Sequence, residues 1–100
     1  MAISNVQEEG SWIKVYDDKG KKISQMSNSG KEIVGIGSSF FVLDEGSWIK
    51  VYDEDCKKIS QMSSSGKRVL NASGNTFTVK EGSWLKVYDE DCKKISQRSA

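Results

Sequence analysis

The residues best placed to do chemistry are aromatic, and they come in sets. Trp12, Lys14 and Tyr16 recur as Trp48, Lys50 and Tyr52 and again as Trp84, Lys86 and Tyr88, always in the pattern Trp-x-Lys-x-Tyr. Side chains alternate across a pleated strand, so each triplet puts an indole, an ammonium and a phenol on one face. The aliphatic pairs Ile13/Val15, Ile49/Val51 and Leu85/Val87 take the other. Exposed aromatic rings stack on sugars or bases, and three copies of one weak site gain avidity through effective concentration. The competing use of the same residues is structural, with the tryptophan packed between units and its indole N–H bonded to a carbonyl. These nine residues are the ligand-binding candidates, and a glycan or another repetitive ligand is the expected partner.

Other chemistries are poorly served. Lysines interleaved with aromatics suit single-stranded nucleic acid when they line a basic groove. Here 15 Lys and Arg stand against 14 Asp and Glu, a net charge of +1. The pairs Lys57-Lys58 and Lys93-Lys94 follow the acidic tips Asp53-Glu54-Asp55 and Asp89-Glu90-Asp91, so each tip nearly neutralises itself. Nucleic acid is not an expected partner. Histidine is absent, which removes the commonest general base and leaves the serines without an activating partner. No enzyme activity and no cofactor are expected.

The pairs Asp53/Asp55 and Asp89/Asp91 offer two carboxylates where a calcium ion needs six to eight oxygens, and Lys19 takes the second position in the first copy. They are expected to be turn residues, with no metal bound. Cys56 and Cys92 hold the place of Gly20 in their repeats and are too few for a disulfide framework or, alone, a structural zinc site. Hairpin tips related by the repeat should be further apart than the roughly 7 Å limit for bridging, so both thiols are expected to be free. Gly35-Ile36-Gly37 precedes a strand and lacks the helix N-terminus that would cradle a phosphate. Asn71-Ala72-Ser73 fits a glycosylation acceptor, but the start Met1-Ala2-Ile3-Ser4-Asn5 has neither the basic flank nor the apolar core of a secretion signal. No run approaches the 18 or so apolar residues of a membrane helix. A cytoplasmic protein with no membrane partner is the expectation.

The elements that must position these residues follow from an internal repeat. Glu9-Gly10-Ser11-Trp12-Ile13-Lys14-Val15-Tyr16-Asp17 returns unchanged at Glu45–Asp53 and with one change, Leu85, at Glu81–Asp89. The period is 45 − 9 = 36 residues. Each copy runs on into Lys-Lys-Ile-Ser-Gln, at 21–25, 57–61 and 93–97. Period-two alternation, β-branched and aromatic enrichment, and polar turn clusters predict strands throughout. Asp17-Asp18-Lys19-Gly20 reads as a hairpin turn with Gly20 in a left-handed conformation.

The whole is read as a single all-β domain, 1–100, of three pseudo-symmetric repeats with four short strands each. Repeat 1 is 9–44, repeat 2 is 45–80, and repeat 3 is 81–100 completed by 1–8, so that the N-terminal strand closes the ring. A β-prism-like or β-trefoil-like arrangement is expected, with a propeller-like dimer as the alternative, because a propeller has at least four blades. The function expected of such a chain is that of a non-catalytic multivalent binding module. The alternative is a structural or self-assembling repeat protein, a possible homo-oligomer with no small ligand.

Overall fold

A computed structural model describes residues 3–99; Met1, Ala2 and Ala100, the outer ends of the segments 1–8 and 81–100, lie outside the described residues. Among the described residues there are eleven strands and no helix. The first sheet holds β1 (Asn5–Glu9), β2 (Trp12–Tyr16) and β3 (Lys22–Ser27). The second holds β4 (Glu32–Ile36), β5 (Phe40–Asp44), β6 (Trp48–Asp53) and β7 (Lys58–Ser63). The third holds β8 (Lys67–Ser73), β9 (Thr76–Glu81), β10 (Trp84–Asp89) and β11 (Lys94–Ser99). Within each sheet the strands pair antiparallel in chain order.

Local chemistry explains the hairpins. At the β2–β3 tip the Asp17 carboxylate accepts the backbone N–H of Lys19 and of Lys21, both at 2.9 Å, and the chain turns through Gly20 at φ 76°. Asp53 and Asp89 make the same two bonds at the later tips. There the left-handed position is taken by Cys56 (φ 62°) and Cys92 (φ 61°). These carboxylates are thus turn residues, saturating donors that a tight turn leaves unpaired. One residue is offset between Val15 and Tyr16, and again between Val51 and Tyr52 and between Val87 and Tyr88, so the bulge repeats with the sequence.

The sheets do not begin where the sequence repeats begin. A tight turn at each repeated glutamate joins a strand to the Trp strand after it: β1 pairs with β2, placing Val6 opposite Val15, and Glu45 N–H donates to the Trp48 carbonyl at 2.8 Å. The segment 1–8 therefore supplies a strand to the first sheet, not to the third, and the expected closing of a prism or trefoil ring by the N-terminal strand is not made. It is the first sheet, and not the third unit, that has one strand fewer, lacking a counterpart of β4 and β8.

Two apolar clusters join the sheets. Val6, Ile13 and Val15 of the first sheet bury against Phe41, Leu43 and Tyr52 of the second. Phe40, Val42, Ile49 and Val51, on the opposite face of the second sheet, bury against Phe77, Val79 and Tyr88 of the third. The middle sheet is covered on both sides, which is why β5 reads Phe-Phe-Val-Leu without alternation and is buried along its apolar run.

Candidate functional site

The Trp-x-Lys-x-Tyr triplets are held by a residue that the sequence reading passed over. Glu9 lies opposite Trp12 across the β1–β2 ladder, so its carboxylate shares a face with Lys14 and Tyr16. It accepts the Tyr16 hydroxyl at 2.5 Å and pairs with Lys14 Nζ at 3.5 Å. Glu45 repeats this, accepting the Tyr52 hydroxyl at 2.7 Å and pairing with Lys50 at 3.3 Å. Glu81 pairs with Lys86 at 2.9 Å and with Lys67 at 3.8 Å. The signal was present, since a glutamate opens every copy of the motif, five residues before the lysine and seven before the tyrosine.

The nine candidates accordingly divide by environment. Tyr52 and Tyr88 are buried in the seams between sheets, stacked on Phe41 and Phe77 at ring separations of 5.6 and 5.7 Å. Tyr16, on the outer face of the first sheet, is half-buried. Lys14, Lys50 and Lys86 are half-buried beside their glutamates. Trp12, Trp48 and Trp84 are 45, 43 and 45% exposed, each opening its strand. What the three strands offer to solvent in common is therefore an indole, with the lysine behind it engaged by a carboxylate that in the first two copies also holds the tyrosine.

The carboxylates titrate accordingly. The Tyr16 hydroxyl, and secondarily Lys14, hold Glu9 below its ordinary pKa; Lys86 foremost, then Lys67, does the same for Glu81. The Lys21 and Lys19 amides lower Asp17. Tyr16 is raised chiefly by its bond to Glu9, whereas burial comes first in raising Tyr52 and Tyr88. A lowered carboxyl stabilises the fold above its unfolded pKa of about 4 and loses that contribution as pH falls through the lower folded value. A raised tyrosine stabilises below its unfolded value of about 10 and loses that as pH rises through the higher folded value. Thermal melting temperature should therefore be flat from about pH 5 to about pH 9 and fall on both sides. Glu9→Gln should flatten part of the acid limb, as checked by calorimetry across pH.

The thiols sit in the seams. Ser24 Oγ donates to the Glu54 carbonyl at 2.6 Å and lies 3.2 Å from Cys56 Sγ. Ser60 Oγ does likewise with the Glu90 carbonyl at 2.7 Å and Cys92 Sγ at 3.2 Å. Each serine reaches from one sheet to the next. Both cysteines are free and half-buried, and burial pushes their pKa up, against reactivity. Among the described residues, no three His, Cys, Asp or Glu side chains gather as a metal site would require, and no helix is long and apolar enough to cross a membrane.

No protein-family model matches the sequence, and no curated protein does. Among solved structures, BamB from Moraxella catarrhalis, a β-propeller-like protein, superposes with a TM-score of 0.58 at 12% identity. The match covers 96% of this chain and 34% of that one, so this chain spans about a third of that protein's length. The likeness is one of fold.

Proposed function

We propose that this protein is a non-catalytic, multivalent binding module that presents three equivalent indoles, Trp12, Trp48 and Trp84, to a repetitive ligand, with glycans as the leading class. The observation that carries the reading is their matched exposure at the head of β2, β6 and β10. An indole exposed to the same degree on three equivalent strands gives a repeated stacking surface suited to a repetitive ligand. The Glu-Lys pair behind each ring, joined by the tyrosine in the first two copies, ties the strand that carries it to its neighbour and leaves polar groups beside the stacking face. In architecture, we read the sheets as three blade-like units, a reading supported by the sheet orders and by the likeness to a β-propeller-like protein. A cytoplasmic setting belongs to the same proposal, supported by two unbridged cysteines.

A glycan array tests the ligand class. Retention of a repetitive glycan should be lost stepwise as Trp12, Trp48 and Trp84 are changed to alanine singly and together. Each single change should cost stability less than about 1 kcal/mol, because the rings are not core. Retention that survives the triple change, or a triple variant that no longer folds, counts against the reading. A structural role without a small ligand is the second reading, favoured by copies that match even at solvated turn positions such as Asp55/Asp91 and Lys57/Lys93.

A further inference from the structure

The two seams inside the chain are repeats of one interface, and its two halves reappear unmatched on the outer faces of the first and third sheets. We propose that these faces bind each other between molecules, so that a second copy of this chain docks head to tail and two copies close a six-sheet ring. This rests on the unit-by-unit reading of the fold above and not on the identity of any ligand.

The projecting half is on the third sheet. Ile23 packs into the cluster that holds Tyr52 and Cys56, and Ile59 into the one that holds Tyr88 and Cys92. Their counterpart in the third copy is Ile95, which is 56% exposed. Ser24 and Ser60 reach across to the carbonyls of Glu54 and Glu90; Ser96 is their counterpart. Leu85 and Val87 are half-buried, where Ile13, Val15, Ile49 and Val51 are sealed.

The receiving half is on the first sheet. A hollow lined by Asn5, Gln7, Tyr16, Asp18 and Gly20 opens on its outer face. Counted by the 36-residue period, Tyr16 is the counterpart of Tyr52 and Tyr88, Gly20 of Cys56 and Cys92, and Asp18 of Glu54 and Glu90. The hollow thus occupies the place that inside the chain is taken up by the neighbouring sheet's isoleucine and serine. Continuity with the internal seams sets the docking: Ile95 enters the hollow of the next molecule and Ser96 donates to its Asp18 carbonyl.

The rest of the two faces changes character together. Inside, Phe40 and Val42 meet Phe77 and Val79 in one cluster. At the outer faces Thr76 and Thr78 replace the first pair and Asn5 and Gln7 the second, polar on both sides. Such a seam tolerates water when open and pairs polar with polar when closed, which makes it weaker than the internal ones and reversible. A heterologous contact must close or it propagates. Two copies joined in this way bring six sheets into one ring, within the range of propeller sizes.

Sedimentation between about 1 µM and about 1 mM should show a reversible transition from the 11.1 kDa chain to twice that mass. Ile95→Glu, at an exposed site, should weaken the dimer at least about tenfold with an unchanged dichroism spectrum. Gly20→Cys combined with Ser96→Cys should give a covalent dimer on mild oxidation that neither single variant gives, since the equivalent Ser and Cys side chains stand 3.2 Å apart inside the chain. A monomer throughout with an intact sheet spectrum overturns the assembly and leaves the unit reading standing. A bridge formed within one chain overturns both, and a ladder beyond the dimer overturns closure by two copies.

Discussion

Phe77→Ala should cost about 3–5 kcal/mol of folding free energy. Phe77 is 1% exposed and lies in the seam between the second and third sheets. Its ring stacks on Tyr88 at 5.7 Å and meets the tilted ring of Phe40 at 6.3 Å and 56°. The stacked sheets on either side cannot collapse far into the space left behind, because each backbone is fixed by its own ladder. The cost is thus the lost transfer free energy plus that of an unfilled cavity. A domain of this size has about 5–15 kcal/mol in all, so the variant should unfold at a much lower urea concentration. Leu70→Ala, at a site 44% exposed, should cost less than about 1 kcal/mol. Equal midpoints for the two variants would mean that the third sheet is not packed on the second. A Phe77→Ala transition with the usual slope means that all three sheets unfold together, whereas a shallow or two-step transition means that the third detaches first.

How much of this was legible depended on whether the cause was local. Strand periodicity, the Asp17 turn and the left-handed Gly20 are local properties, and all are found as read. The burial of Ile13 and Val15 opposite Lys14 followed from alternation alone. The partner of the segment 1–8 was not local. Val6 has the apolar character of a strand that could complete either end of the chain, and only the tight turn from Glu9 to Trp12 decides for β2. Nor did the pattern around Tyr52 disclose a second buried face, because a wet face and a face covered by a neighbouring sheet read alike when the lysine on it pairs with a half-buried glutamate. The same holds for Gly35, whose role is not local. A Cβ there would stand 2.9 Å from the Ala72 Cβ, so the glycine permits β4 to approach β8, a contact between strands far apart in sequence.

Gly37 poses the sharper case, and replacing it with alanine should cost about 1–3 kcal/mol. A Cβ built on Gly37 falls 2.3 Å from Phe40 Cε1 and 2.6 Å from Cζ, inside the volume of the ring. That ring is wholly buried and wedged beside Phe77, so it cannot swing aside as an exposed side chain would. The backbone is tied as well, since Gly37 N–H donates to the Phe40 carbonyl at 2.8 Å. Gly46→Ala separates this cause from ordinary glycine strain: its φ is 78° and nothing lies within 4 Å of a Cβ there, so its cost, about 1 kcal/mol, is torsional. Phe40→Leu shortens the obstructing ring. It should lower the cost of Gly37→Ala by about 1 kcal/mol in a double-mutant cycle and leave the cost of Gly46→Ala unchanged. If both glycine changes respond alike to Phe40→Leu, the constraint at Gly37 is backbone conformation and the packing account of the β4–β5 turn is wrong. If only Gly37 responds, the glycine is there to admit Phe40 to the seam, and the turn and the core of the middle sheet are set by the same pair of residues.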